Sequence, residues 1–533
     1  MAQPQQHGEH KACQVDAIET ETMPSCSLCK RIDASGTLPK RLIVCCDGTN
    51  NSSNQGVETN PTNVARLSRA IANVGYASDG SKVPQITYYQ AGIGTDPTVT
   101  SFTKAKQQGL GIGLNEKVCE AYNYLANNYG PGDEIFIFGF SRGAYTARVL
   151  ASFLCQFGLL TPGMMDYFDE IFEAYKHRAD NEYTFRDMKW SKGFARPGEL
   201  GLELNSEERI TRYECIKKWT HLHITVKAVG VFDTVGSVGL SGKLPQPGQD
   251  SDWHSSSLHP NIEHAFHALA IDESRGNFAP TLYYLYDACI KSGTKLKQCW
   301  FPGYHGDIGG HASPDGCINS YDLLTFAWMI DQLTQENLLN FSKHQLYYPI
   351  LKRVHVGPTN DPPSEAPTSV EEAGERRIKW SDGWLQDTNG IWPYYATSFI
   401  ATRRFWHVRI PGLWHDPKGR EVKQSNLCET IHPSVAHRMQ QKGSEYQPKG
   451  FEKEWKYDKD HKRWIRTVEG KEVCVIPEYE LPDFPVKDFD GKDLWSGGLE
   501  RLLAPEDVMG KEKFAYYKKR LEEEVAHLEQ LYG

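Results

Sequence analysis

The order of apolar and polar segments predicts an α/β fold, with a mostly parallel central sheet and helices on both faces. A cap insertion interrupts it and a C-terminal extension follows. Two observations carry this expectation. Short apolar runs ending in loops rich in Gly, Asp, Thr or Pro recur through residues 41–333, separated by helix-patterned stretches. One run, Ile135-Phe136-Ile137-Phe138, enters Gly139-Phe140-Ser141-Arg142-Gly143 and then Ala144-Tyr145-Thr146-Ala147-Arg148-Val149-Leu150. A serine on a sharp turn between a buried strand and a helix is the nucleophile elbow of an α/β hydrolase. Gly139 and Gly143 leave room for the turn and for close approach of helix to strand.

The elements follow in order. Residues 1–38 are polar, poor in aromatics and unpatterned, and are expected to form a flexible tail. Residues 41–46 read as a strand ending at Asp47-Gly48-Thr49-Asn50, and 63–73 as a helix with Val64, Leu67 and Ile71 on one face. A strand at 85–90 and a helix at 116–129 precede Pro131-Gly132-Asp133, which breaks the chain before the elbow strand. Beyond the elbow, 223–232 is a β-branched strand ending at Asp233, and 263–271 reads as a helix. Residues 296–301 form a strand ending at Pro302-Gly303-Tyr304-His305, and 320–333 a helix. Together these define a catalytic domain over residues 39–345. Its insertion at 166–218 is charged and aromatic, a candidate cap or lid. Residues 346–533 comprise a Pro/Ser/Glu-rich linker at 357–375 and a Trp- and Tyr-dense region, an appended module or a decoration of the same sheet. The chain's last stretch, 512–532, reads as a charged, docked or self-associating helix.

Composition narrows the classes. The 533 residues are 39% hydrophobic and 24% charged, the balance of an ordinary globular protein. A net charge of −9 argues against a general nucleic-acid binder. No apolar run is long enough to span a bilayer, and the N-terminal sequence lacks a signal-peptide core, so cytoplasmic expression is expected. The 13 cysteines are an odd count spread over a long chain, several inside apolar runs, as reduced core residues would be. Cys26 and Cys29 have metal-like spacing but no second pair, so no metal is expected.

A serine hydroxyl needs a histidine base oriented by a carboxylate. On this fold the order is Ser, Asp or Glu, His, each just past a strand. Ser141, Asp233 and His305 satisfy that order. Among the 19 histidines, His311 is the runner-up to His305, while His264 and His267 are assigned to the helix at 263–271 as packed residues. Asp307 lies too near His305 to orient it and is read as shaping its loop. Asp272 and Asp287 are placed in helix or helix-end settings. For the oxyanion hole, the N–H of Arg142 is one donor and that of Gly48 or Thr49 the other, with Asp47 and Asn50 holding their loop. Phosphate-binding patterns fail: there is no Walker loop, and residues 109–114 lack the third Rossmann glycine; nor is there a His-Glu-x-x-His zinc motif. No cofactor is expected.

Six segments carry a resemblance in the right order: Cys46-Asp47-Gly48-Thr49; Tyr89-Gln90-x-Gly92-x-Gly94-Thr95; Pro131-Gly132-Asp133 leading to the elbow; Gly230-Val231-Phe232-Asp233-Thr234-Val235-Gly236; His267-Ala268-Leu269-Ala270-Ile271-Asp272-Glu273; and Trp300-Phe301-Pro302-Gly303-Tyr304-His305-Gly306-Asp307-Ile308-Gly309-Gly310. Over residues 40–333 they resemble an uncharacterised α/β-hydrolase domain family related to the catalytic domain of the first family of type VI secretion phospholipase effectors. Ile431-His432-Pro433 and its neighbours resemble the C-terminal region of fungal members. The resemblance implies a serine esterase with phospholipase A-like activity and puts Ser141, Asp233 and His305 on the family's catalytic positions. One departure is His311, where bacterial-type members often carry a third glycine.

The expected function is therefore cofactor-free hydrolysis of carboxylic esters, with lipids or phospholipids as the leading class and peripheral membrane contact left open. Two alternatives are an esterase for soluble esters such as acylated sugars and a catalytically silent interaction protein on the same fold.

Overall fold

The computed structural model describes residues 39–49, 51–53, 60–93, 113–176, 219–236, 258–275, 278–310, 320–342, 345–346, 409–415, 420–441, 444–451, 454–482, 486–487, 493–494, 499–516, 519 and 526. The expected N-terminal tail, Asn50, most of the insertion, His311, the 357–375 linker and the Cys26/Cys29 pair lie outside them.

The central sheet has eight strands: β1 (Arg41–Cys46), β2 (Val74–Tyr76), β3 (Lys82–Gln90), β4 (Glu134–Phe140), β5 (Val226–Phe232), β6 (Ile262–Ala270), β7 (Lys295–Phe301) and β8 (Glu429–Ile431). Their spatial order is β8-β7-β6-β5-β4-β1-β3-β2, parallel throughout except where β2 pairs antiparallel with β3. Register brings the carboxyl ends of the central strands level: Cys46 lies opposite Gly139, and Phe140 opposite Phe232. Loops that leave these ends therefore converge, as open parallel sheets require of their sites.

Side-chain alternation divides the core between the two faces. Leu42, Val44, Ile135 and Ile137 join the apolar layer under α2 (Leu114–Asn128) and α3 (Ser141–Phe157), together with α4 (Phe168–Lys176). Ile43, Phe136, Phe138 and Phe140 face the opposite layer, against α1 (Asn63–Ala70) and, across the sheet, α7 (Ser320–Gln335). Two short helices, α5 (Asp287–Ser292) and α6 (His305–Gly309), lie between α4 and α7 among the described residues. Helix α4, at the start of the expected cap, is a core element: its Phe168, Phe172 and Tyr175 pack around Phe153 of α3. Cys45, Cys46, Cys155, Cys289 and Cys299 are buried free thiols.

The expected helix at 263–271 is strand β6. A central parallel strand is buried on both faces, so its sequence shows no alternation and reads like a buried helix. His264 and His267 accordingly sit on a strand, and Asp272 follows that strand's end. Helix α1 stops at Ala70, short of the expected residue 73, and the chain turns into β2.

The C-terminal region contributes directly to this architecture. Strand β8 extends the sheet beyond β7 and leads into α8 (Pro433–Gln440). A three-stranded antiparallel sheet, β9 (Trp455–Asp458), β10 (Arg463–Val468) and β11 (Lys471–Pro477), follows. Its Trp455, Trp464 and Ile476 share an apolar cluster with Leu269 and Trp300 of the main sheet. Residues 511–516 are helical, and Phe514 packs on the core layer that contains α7.

Candidate active site

Ser141 is the first residue of α3, immediately after β4, with φ 57°. A non-glycine residue in this left-handed region costs roughly 1–3 kcal/mol, and such strain persists where surrounding structure imposes it. The flanking glycines show how. A Cβ on Gly139 would lie 2.5 Å from the carbonyl oxygen of Gly143, and one on Gly143 2.3 Å from the carbonyl oxygens of both Cys46 and Asp47. The elbow is thus clamped between its own helix and the end of β1.

His305 opens α6 as its first residue, just past β7. Its Nε2 lies 2.7 Å from Ser141 Oγ and its Nδ1 2.6 Å from Asp233 Oδ2. Asp233 follows β5 and has φ 41°, a second strained position. Phe140 and Phe278 hold the imidazole, with ring centroids 4.9 and 4.8 Å from it. Ser141 and His305 are buried, and Asp233 is fully so.

The electrostatics match this geometry. Burial pushes His305 below its ordinary value against the opposing pull of Asp233, so the imidazole is neutral at neutral pH and can accept a proton. Burial alone would raise Asp233, but the Arg409 guanidinium and His305 outweigh it and hold the carboxyl below the usual carboxylate range. Arg409 was not legible in the sequence. Its Nη1 donates to Asp233 Oδ1 at 2.6 Å and its Nη2 to Oδ2 at 3.1 Å, while Ala270 N–H donates to Oδ1 at 3.0 Å.

The neighbouring loops are built from the other expected residues. Asp47 Oδ2 accepts from Thr62 Oγ1 and Tyr89 Oη at 2.7 and 2.5 Å, and its Oδ1 accepts from Gly48 N–H at 2.7 Å. The N–H of Gly48 is therefore engaged by Asp47. Asn51 N–H donates to Gly48 O, and Gly92 N–H to Asn51 O, so the loops after β1 and β3 are laced together. A small cavity beside the elbow is lined by Asp47, Thr49, Gly92, Lys117, Arg142 and Thr146. Asp307 accepts from the Tyr304 N–H at 2.8 Å and so caps α6 from within.

The competing groups are engaged elsewhere. His267 Nε2 accepts from Thr234 N–H and its Nδ1 lies 3.2 Å from Gln298 Oε1; burial, with Arg148 nearby, pushes it down to about 3. Asp272 accepts from Gly303 N–H and Tyr446 Oη, and burial raises it to about 6. Asp287 is at the start of α5.

Together Ser141, His305 and Asp233 form a buried hydrogen-bonded network with the geometry of a Ser-His-Asp triad. Among the described residues no group of three or more His, Cys, Asp or Glu side chains is disposed to hold a metal ion, and no helix is long and apolar enough to cross a membrane.

Comparison with known proteins finds similarity over part of the chain. An uncharacterized protein of Saccharomyces cerevisiae, YEL023C, is 28% identical over 250 residues, covering 45% of this chain and 32% of its own. An uncharacterized protein from Pseudomonas aeruginosa of known structure is 15% identical, covering 61% of this chain and 50% of its own, with a TM-score of 0.33. The Tle1 effector bound to the VgrG spike of the type 6 secretion system is 18% identical, covering 52% of each chain, with a TM-score of 0.28. The chain thus spans about a third of the yeast protein's length and about half of each of the two structures. The family model described as "T6SS, Phospholipase effector Tle1-like, catalytic domain" matches residues 40–332. With more than half of its length so matched, this chain belongs to the Tle1-like phospholipase effector catalytic-domain family.

Proposed function

We propose that the protein is a serine hydrolase that cleaves carboxylic esters of lipids, phospholipids being the leading class, through an acyl-enzyme on Ser141. The observation that carries this reading is the continuous contact from Ser141 Oγ through the His305 ring to Asp233, with both hydrogen bonds at 2.7 Å or less. Neutral His305 takes the Ser141 proton as Oγ attacks the acyl carbon. It returns that proton to the leaving alcohol, then activates the water that releases the acid. Asp233 holds Nδ1–H and stabilises the imidazolium that forms.

The developing oxyanion is assigned to the backbone N–H groups of Arg142 and Thr49, whose residues line one cavity beside the elbow. Asp47, Gly139 and Gly143 act by shaping the loops that carry these groups, Asp307 by capping the helix that begins at His305, and Asn50 is assigned to the loop of Asp47. The family description favours a phospholipid, and the phenyl rings of Phe140 and Phe278 beside His305 make the surroundings of the reacting atoms apolar.

The test is turnover of p-nitrophenyl esters of graded chain length alongside phospholipid vesicles, with S141A as the blank. A preference for long acyl chains and release of fatty acid from vesicles are expected. Turnover confined to short soluble esters would replace the lipid reading with a soluble esterase. No turnover of any ester would leave the silent interaction protein.

A further inference from the structure

Arg409 lies outside the segment that matches the family's catalytic-domain model, yet its guanidinium is built into the triad. The residues around it show how it is delivered. Gly412 N–H donates to Glu429 Oε2 at 2.9 Å, while Glu429 Oε1 accepts from Trp300 Nε1 at 2.8 Å, tying the Arg409 segment to strands β8 and β7. The carbonyl oxygen of Arg409 lies so close to Gly450 that a Cβ there would sit 2.2 Å from it. The side chain is 1% exposed. Besides its fork on Asp233, Nη1 donates to Ala270 O at 2.7 Å and Nη2 donates to Phe278 O.

One planar group thus joins the carboxylate to the end of β6 and to the residue whose ring packs on His305. A guanidinium suits this task because its five donors are fixed in one plane and its charge persists at any working pH. We propose that Arg409 is a positioning residue of the triad: it holds the Asp233 carboxylate ionised and aimed at His305 Nδ1, so the C-terminal extension completes the active site. This inference rests on the Ser141–His305–Asp233 reading.

The charged and titratable groups around the acid define what its loss would do. Asp233 faces His305, Arg409 and His267, and His267 is held neutral by burial beside Arg148. Arg275 and Glu273, paired with each other at 2.7 Å, face His305. Without Arg409 the buried carboxylate keeps Ala270 N–H and His305 as donors for two oxygens. Protonation of Asp233, or of His305 beside a less screened carboxylate, then becomes easier, and both move the acid limb of activity to higher pH.

The test uses the full chain with R409Q, R409K, R409A and S141A, read as kcat, KM and the pH profile on a soluble ester. R409Q should lose roughly 10- to 100-fold in kcat with little change in KM, the scale on which outer partners orient reacting groups, and its acid limb should move up. R409K, which keeps the charge but not the fork, should lose less and keep its limb near wild type. Added guanidinium ion should restore part of the activity of R409A.

A merely structural role predicts a loss uniform across pH and no rescue, which would overturn the proposal, as would wild-type kcat in R409Q. If R409Q does not fold, wild-type kcat in R409K overturns it equally. Full turnover in S141A would sink the triad reading itself, whereas an inactive S141A beside an unaffected R409Q removes Arg409 alone.

Discussion

Replacing Asp233 with asparagine asks the most of the site. The carboxylate meets four donors with two oxygens: Ala270 N–H and Arg409 Nη1 on Oδ1, and His305 Nδ1 and Arg409 Nη2 on Oδ2. An amide has one acceptor oxygen, so it can serve one of these edges. With that oxygen toward Ala270 and Arg409 Nη1, its NH2 faces His305 Nδ1 and Arg409 Nη2. The imidazole is then driven to the tautomer protonated on Nε2, which cannot take the Ser141 proton. With the oxygen toward His305, the NH2 collides electrostatically with Ala270 N–H and the guanidinium. The wrong tautomer costs a Ser-His-Asp hydrolase about 10⁴-fold in kcat, or roughly 5.5 kcal/mol of barrier at about 1.36 kcal/mol per tenfold. Leaving Arg409 buried without its counter-charge costs about 3–5 kcal/mol of stability. The assay is kcat on a soluble p-nitrophenyl ester, with thermal unfolding by circular dichroism in parallel. A folded D233N retaining more than about a tenth of wild-type kcat, far above that expectation, would refute the reasoning.

Two further outcomes follow from the same geometry. Burial depresses His305 from 6.5, so the acid limb of kcat/KM should fall below that value. Activity is full above the folded-state value and is lost as pH falls through it; the stability of the neutral imidazole fades in the same window, from 6.5 downward. A limb above 6.5 in a pH–rate profile contradicts the assignment. G143A places a methyl 2.3 Å from the carbonyls of Cys46 and Asp47, and should lose at least about 1–3 kcal/mol by overpacking and lower kcat by displacing the loop that carries Thr49. G163A, whose new methyl meets nothing within 4 Å, is its control in the same melting experiment.

The elbow was legible because several local rules coincide there: an apolar run, two glycines at fixed offsets and a helix-forming continuation. His305 and Asp233 followed from the order of strand ends. What failed was of two kinds. Strand β6, with its Ala and His content and burial on both faces, carries no period that separates strand from helix. Arg409 lies 176 residues from its partner in an unpatterned stretch, and no local signal marks a side chain that acts by long-range approach. Strand β8 is three residues long and pairs with β7 across more than a hundred residues, so it too shows itself in space rather than in sequence. Gly48 illustrates a finer limit: its N–H donates to Asp47 Oδ1, a contact that depends on a side-chain rotamer and leaves no mark in the sequence.

The most direct measurement is reaction of the full chain with a fluorophosphonate, read by intact mass and peptide mapping. A single adduct on Ser141, absent in S141A and slowed in D233N, is the predicted result. An adduct on another residue, or undiminished reaction of S141A, would contradict the assignment of Ser141 as the nucleophile.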